Sequence, residues 1–179
     1  MAKINTFEEM LTGGHPNSLG NTIEVVNIIL ADKKRLEDLY QCYFSDDEVV
    51  RLRVSNAMKR ICKEYPDWLV PYIDKLLADV AKINQASTQW TLAQLFLWLK
   101  NDMSEKQLER AKKILKTNLE KSDDWIVQNT TIETLSTWAK DDEQLRLWII
   151  PRLEKFSKSD RKSVAGRAKK MLNSLATNN

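Results

Sequence analysis

The side chains that most often carry out catalysis are scarce in this sequence. It contains one histidine, His15, and two cysteines, Cys42 and Cys62. A lone histidine in a loop cannot by itself form a metal site or a catalytic triad. Cysteines twenty residues apart lack the CxxC spacing of zinc ligands. We therefore expect a protein that is not an enzyme and that binds no cofactor or metal, with both cysteines buried as reduced thiols.

Three pairs of adjacent aspartates are the remaining candidates for metal or acid–base chemistry: Asp46–Asp47, Asp123–Asp124 and Asp141–Asp142. Each pair lies at the predicted start of a helix. There a carboxylate accepts hydrogen bonds from free backbone N–H groups and complements the positive end of the helix dipole. We expect these aspartates to cap helices rather than to bind metal.

A glycine-rich segment, Thr12 to Gly20 (TGGHPNSLG), invites interpretation as a phosphate-binding loop. It lacks the spacing and the Lys-Ser/Thr pair of a P-loop, and no predicted strand precedes it. Three glycines and a proline within nine residues predict an ordinary connecting loop.

An internal repeat must position these groups. Ser-Asp occurs at residues 45, 122 and 159, and an altered copy begins near residue 83, so the copies are about 38 residues apart. In each copy, apolar residues recur at intervals of three and four positions, which puts them on one face of a helix. In the first, second and last copies they are Val54, Ala57, Met58 and Ile61; Leu92, Leu95, Phe96 and Leu99; and Ala168, Met171, Leu172 and Leu175. A second match, residues 68–76 with 148–156, makes the unit a pair of helices that must stack on its neighbours to bury its apolar face.

The period, the prolines at 71 and 151 in the first helix of two units, and the string DDEVVR at 46–51 resemble HEAT repeats. The resemblance implies an all-α fold, a right-handed α-α superhelix, as one HEAT-like solenoid domain over residues 1–179. About four helical hairpins would occupy 33–176, after N-terminal capping helices in 1–32. The strings at 11–14, 18–20 and 90–94 also resemble small bacterial HEAT-repeat proteins, a likeness that implies a fold and no activity.

The same pattern predicts where helices begin and end. A short helix is expected at 3–11 and a capping helix at 22–31, with Asn21 as its N-cap. Ser104 and Gln107 form an S-x-x-Q capping box. The repeats are expected at 34–44 with 47–63, 66–80 with 86–100, 104–121 with 123–140, and 142–157 with 160–175.

Tryptophans stand on the side of a predicted helix opposite its core. With Leu92 at the centre of the core side, Trp90 and Trp98 fall on the far side. The HEAT resemblance implies that the second helix of each pair lines a concave surface. That candidate surface is Lys59, Arg60, Lys63, Trp90, Gln94, Leu97, Trp98, Glu133, Lys140 and Lys170. Alternatively, Trp90 and Trp98 fill the seam between repeats; Trp68, Trp138 and Trp148 are expected in the core.

The leading hypothesis is a non-catalytic scaffold that binds a protein or peptide on this concave face. The alternatives are nucleic-acid binding, by likeness in architecture to the HEAT-like alkylpurine DNA glycosylases, and an accessory or maturation subunit that docks one dedicated enzyme. For the glycosylase-like alternative, Asp102 or Glu133 would supply the carboxylate. Eight cations between Arg152 and Lys170 are either a solvated end or a patch for an acidic partner or a nucleic-acid backbone.

Composition bounds these hypotheses. Charged residues make up 30% and hydrophobic residues 42% of the 179, as in a soluble globular chain. The net charge of +3 is far below that of a dedicated nucleic-acid tail. No apolar run approaches the ~18 residues that cross a membrane, and the N-terminus does not resemble a signal peptide. We expect a cytoplasmic protein without a membrane partner.

Overall fold

The computed structural model describes residues 6–15 and 18–177, and every regular element within them is helical. The all-α fold class is thus confirmed. The described α-helices are α1 (Phe7–Leu11), α2 (Thr22–Ala31), α3 (Leu36–Gln41), α4 (Glu48–Glu64), α5 (Ile73–Ala78), α6 (Ala86–Trp98), α7 (Glu105–Lys121), α8 (Trp125–Trp138), α9 (Glu143–Phe156) and α10 (Lys162–Ala176). In this part of the chain no helix is both long and apolar enough to span a membrane.

The helix starts follow the capping rules. The second aspartate of each predicted pair, Asp47, Asp124 or Asp142, accepts a hydrogen bond from a backbone N–H two or three residues later, at 2.8, 2.8 and 2.9 Å. The capping box of Ser104 is also present. Asn21 occupies the predicted N-cap position of α2, but its side chain makes no capping hydrogen bond.

The repeat is visible in the turns before three helices. The hydroxyl oxygens of Ser45, Ser122 and Ser159 each accept a hydrogen bond from the backbone N–H two residues later, at 3.2 Å in all three turns. Identical geometry at corresponding positions supports one repeated unit. The last copy departs from the others at the next step, because Arg161 occupies the N-cap position and its side chain does not cap α10.

The first helices of the first two repeats differ from the prediction. Short 3₁₀ turns flank α3 at 33–35 and 42–44, and further turns at 66–68, 70–72 and 80–82 flank α5. Proline cannot donate a backbone hydrogen bond. Pro71 lies in the first turn of a 3₁₀ segment, where no donor is needed, whereas Pro151 lies inside the continuous helix α9. The matching prolines therefore lie in different secondary structures.

The chain divides into two compact units, 1–91 and 92–179, with the boundary inside α6. In the first unit, α4 packs against α2 and α1, and its core includes Val25, Ile29, Val54, Met58 and Ile61, each at most 1% exposed. In the second unit, α8 packs against α7, α9 and α10 around Leu135, Ile149 and Ala168. The single domain stays a prediction.

Arg53 organises the glycine-rich loop of the first unit. It occupies a core-facing position of α4 and is 2% exposed. Its Nη1 donates to the carbonyl oxygens of Leu11 and Gly13, both at 2.6 Å. Its Nε and Nη2 donate to those of Ser18 and His15, at 3.1 and 3.3 Å. The loop is therefore held by one buried guanidinium.

Hydrogen bonds and ion pairs between successive repeats recur at the sequence period. In the first unit Lys75 pairs with Glu37 at 2.9 Å, across 38 residues. In the second unit the Thr134 hydroxyl donates to the Ala93 carbonyl at 2.9 Å, across 41 residues. Each contact joins helices in equivalent places of adjacent repeats, so the repeats are neighbours in space within each unit.

The predicted core tryptophans have different outcomes. Trp138 is buried, as predicted. Trp68 and Trp148 are only partly buried, so for them the prediction was wrong. Lysine Nζ of Lys33 lies 5.2 Å from the Trp68 ring centre, and the guanidinium of Arg152 lies 3.7 Å from that of Trp148. Cation–π contacts keep such rings at the surface.

Candidate binding surface

The ten predicted surface residues divide between the two units. Four lie in the first, and these are Lys59, Arg60, Lys63 and Trp90; the other six, Gln94, Leu97, Trp98, Glu133, Lys140 and Lys170, lie in the second. Each group is a candidate site in its own right.

In the first unit the group forms a basic edge on α4. Arg60 and Lys63 are exposed, and the Nε of Arg60 donates to Asn56 Oδ1 at 2.8 Å. Lys59 is half-buried, and its pKa is lowered first by burial and then by the charge of Arg60. Trp90, on α6, is also half-buried, so this group offers cations to solvent and little aromatic surface.

In the second unit three helices are joined laterally. The Thr134–Ala93 hydrogen bond joins α8 to α6, and Lys100 just beyond α6 pairs with Asp141 just beyond α8 at 3.5 Å. On the other side of α8, Arg167 of α10 pairs with Glu133 at 2.9 Å. The residues of α6 from Leu92 onward, α8 and α10 therefore form one layer.

Trp98 is one of two tryptophans that this layer leaves exposed; the other is Trp125, at the start of α8. Trp98 ends α6 and is 38% exposed, although Leu95, Phe96 and Leu99 beside it are fully buried. Leu97 and Gln94 are partly buried. A large side chain left exposed next to a complete core contributes little to that core. Trp98 is thus available as an interface anchor.

The charges of this layer are unequally satisfied. Glu133 is paired with Arg167, which leaves it poorly suited to the carboxylate role of a glycosylase-like site. Lys140 and Lys170 are exposed, and neither pairs with a carboxylate in the described part of the chain. The second unit has 17 Lys and Arg against 12 Asp and Glu, a net charge of +5, whereas the first has 11 against 13, a net charge of −2. The unit that contains Trp98 is therefore basic.

Sequence reasoning missed an aromatic cluster in the first unit. The ring centre of Tyr40 lies 5.5 Å from those of Phe44 and Tyr72, and Lys75 Nζ lies 4.9 Å from the Tyr40 ring. Burial raises the pKa of both tyrosines to about 12, helped by Asp79 beside Tyr40 and by the hydrogen bond of Tyr72 to Glu37. Phe44 is 48% exposed. Tyr40 and Phe44 are only four residues apart, but Tyr72 and Lys75 belong to the next repeat, so only the fold completes the cluster.

Two clefts are lined by charges that are already paired. A cleft of about 410 Å³ in the first unit contains Arg35, whose Nε lies 2.5 Å from Asp38. A cleft of about 360 Å³ in the second contains Lys112, whose Nζ lies 2.5 Å from Glu109 and from Asp142. In these clefts the Arg35 guanidinium and the Lys112 ammonium are therefore engaged by protein carboxylates rather than available to a substrate.

The remaining candidates for chemistry are the two cysteines, as nucleophiles, and the side chains that could bind a metal ion. Neither Cys42 nor Cys62 is in a disulfide, and both are buried, as predicted. Burial, with the nearby Glu8 and Asp38, raises the pKa of the Cys42 thiol to about 11, so it is neutral at pH 7 and a poor nucleophile. Among the described residues no three His, Cys, Asp or Glu side chains are grouped to hold a metal ion. What these surfaces offer is shape, aromatic area and charge.

Comparison with known proteins finds no relative of this chain: no protein-family model matches it, and no curated protein matches it.

Proposed function

We propose that this chain is a non-catalytic scaffold that binds a protein or peptide segment, and that its helix pairs form a HEAT-like right-handed superhelix. Support for the superhelix comes from the repeated serine turns and from the contacts across 38 and 41 residues. A regular shift between identical units generates a solenoid with one continuous face of second helices. In this proposal that face is the binding surface.

The observation that carries the binding proposal is the exposure of Trp98. Tryptophan is among the residues that contribute most to protein interfaces, because it buries a large area with few rotatable bonds. Trp98 presents 38% of its surface to solvent next to the half-buried Leu97. Gln94, one turn earlier on α6, is polar and partly buried, which is the character of the rim that surrounds such an anchor.

The four candidates of the first unit take a secondary role in this proposal. Within the first unit, Lys59, Arg60, Lys63 and Trp90 would form a basic surface of their own, suited to acidic side chains of a bound segment. Their cations would mainly increase the association rate, an effect that salt screens.

Peptide selection tests the proposal. Peptides enriched from a displayed random library against the full chain would be synthesised, labelled and titrated by fluorescence anisotropy. We expect Trp98→Ala to weaken binding at least about tenfold, the loss of one interface anchor. Trp125→Ala is the matched control. Trp125 is 49% exposed and is the first residue of α8, whereas Trp98 is the last residue of α6. The control should change the affinity less than about twofold.

Thermal unfolding followed by circular dichroism completes the test. Both variants should melt close to the wild type, because both rings are substantially exposed. Equal loss of peptide binding in the two variants, or a Trp98→Ala protein that unfolds, would refute the assignment of Trp98 to an interface.

An accessory or maturation subunit for one dedicated enzyme would use the same face. Purification of the chain from its source with a stoichiometric enzyme would support that version, whereas affinity for many unrelated peptides that share a motif would support a general scaffold. A cytoplasmic location is part of this proposal and is supported by Cys42 and Cys62, neither of which is in a disulfide.

A further inference from the structure

The helix α10 carries positive charge without any carboxylate. Residues 162–176 contain Lys162, Arg167, Lys169 and Lys170 and no Asp or Glu. The helix α7 of the same unit is also rich in lysine, but Glu105, Glu109 and Glu120 alternate with its cations. Alternation of sign is the usual pattern of a solvated helix face, so α10 departs from it.

The excess of positive charge begins at the N-terminus of α10. Where Asp47 and Asp124 cap the equivalent helices, α10 has Arg161, followed at once by Lys162. Cations at a helix N-terminus oppose the helix dipole and cost a fraction of a kcal/mol each. The guanidinium of Arg161 donates instead to the Asp123 carbonyl oxygen of the preceding repeat. Local stability therefore does not account for the positive start of α10.

Four lysines of this region form what we call the lysine face: Lys155, Lys158, Lys162 and Lys169. All are exposed, and in the described residues none pairs with a carboxylate. Lys162 and Lys169 are seven residues apart, so they lie on the same side of α10, about 10 Å from each other. Gly166 lies between them with open space where a side chain would be, which lets a partner approach the helix backbone.

The composition of this face identifies its partner. Protein interfaces need a buried aromatic or aliphatic centre and are depleted in lysine, and the lysine face has no aromatic residue. Single-stranded nucleic acid is bound largely by stacking bases on aromatic rings, which α10 also lacks. Lysines with neighbouring Ser163 and Asn173 are the residue types that contact duplex phosphates. We propose that the lysine face binds the phosphate backbone of double-stranded nucleic acid, without reading its sequence.

This surface is separate from the Trp98 anchor and independent of the proposed scaffold function. Binding at the lysine face would be electrostatic and would release counterions from the duplex. It would give a protein-binding module a second attachment, to a nucleic acid.

The test is anisotropy of a labelled 20-base-pair duplex with the full chain, over about 50 to 200 mM salt. The test variant is Lys158→Gln/Lys162→Gln/Lys169→Gln. The matched control is Lys106→Gln/Lys113→Gln/Lys121→Gln, which removes the same charge from exposed positions of α7. Circular dichroism would show both to be folded.

We expect the wild type to bind the duplex with an affinity that falls steeply with salt. The lysine-face variant should bind at least about tenfold more weakly at low salt, with a log–log salt slope smaller by about 2 to 3. The α7 control should stay within about twofold of the wild type.

Four results would overturn the proposal. They are no binding at low salt, equal loss in the two triple variants, tighter binding of a single strand of the same length, and competition by poly-glutamate as effective as competition by unlabelled duplex. Equal loss in the two triple variants would mean that duplex binding depends only on the net charge of the chain. Effective competition by poly-glutamate would mean that the lysine face binds acidic proteins.

Discussion

Replacing Arg53 by alanine should release the glycine-rich loop from α4. The buried guanidinium donates four hydrogen bonds to loop carbonyl oxygens, and hydrogen bonds from a charged group contribute about 1.5 to 3 kcal/mol each. In the variant, water can replace some of these hydrogen bonds, because Gly13, Gly14 and His15 are exposed. We therefore expect Arg53→Ala to lower the free energy of unfolding by about 3 kcal/mol, the lower end for breaking a buried charged contact.

Two glycines of the loop provide a matched pair that isolates the contact. Gly13 and Gly20 both have a positive φ, +73° and +50°, so alanine costs about 1 kcal/mol of backbone strain at either position. A Cβ on Gly13 would meet nothing within 4 Å, but one on Gly20 would lie 2.8 Å from Cζ of Arg53. Gly20→Ala should thus be more destabilising than Gly13→Ala by about 1 to 3 kcal/mol, the cost of overpacking.

Urea denaturation of these variants, alone and combined, measures the coupling. In an Arg53→Ala background, Gly20→Ala should cost no more than Gly13→Ala, because the clashing guanidinium is gone. Amide hydrogen exchange should rise across the loop and α1 in Arg53→Ala. The reasoning is refuted if the two glycine variants are equally stable in the wild-type background, or if Arg53→Ala loses less than about 1 kcal/mol.

Three further predictions concern other parts of the chain. Gly166→Ala should raise the free energy of unfolding by about 0.5 to 1 kcal/mol in urea titrations, because Gly166 lies inside α10 with open space around it; a destabilised variant would contradict its helical environment. Trp138→Ala should cost about 3 to 5 kcal/mol and Trp98→Ala under about 1.5, as their burial differs; similar losses would contradict that difference. The backbone hydrogen bond from Val49 holds the pKa of Asp47 below its usual value, so its stabilisation is present above the unfolded pKa and lost as pH falls below about 4. The cost of Asp47→Ala, about 1 kcal/mol near neutral pH, should shrink in acid melting curves; a constant cost down to pH 2 would refute this cause.

The sequence predicted the second helices well because the signals there are local. The predicted segment 47–63 became α4 at 48–64, and 160–175 became α10 at 162–176. Apolar spacing sets the helical face in both, an aspartate also sets the start of α4, and these signals act within a few residues.

The first helices of the first two repeats were predicted less well because tertiary contacts decide them. Segment 66–80 has an apolar helical pattern, but two prolines divide it into 3₁₀ turns around α5. No local pattern distinguishes Pro71 from Pro151, which a continuous helix accommodates. The neighbouring elements determine whether the helix survives a missing hydrogen bond.

The sequence predicted where some surface side chains lie but not which residues they contact. The helical wheel put Trp98 opposite the core, and it is exposed. It could not show that Glu133 pairs with Arg167 across 34 residues, nor that Arg53, in a core position, collects four loop carbonyl oxygens. Such partners come from segments that only the fold brings close.

Amide hydrogen exchange of the full chain, with and without a saturating library-selected peptide, tests the proposed binding function most directly. The proposal predicts that bound peptide slows exchange in the last turns of α6 around Trp98, in the part of α8 that carries Glu133, and at Lys140 just beyond α8. Protection confined to the Tyr40 cluster, or protection that survives unchanged in Trp98→Ala, would contradict it.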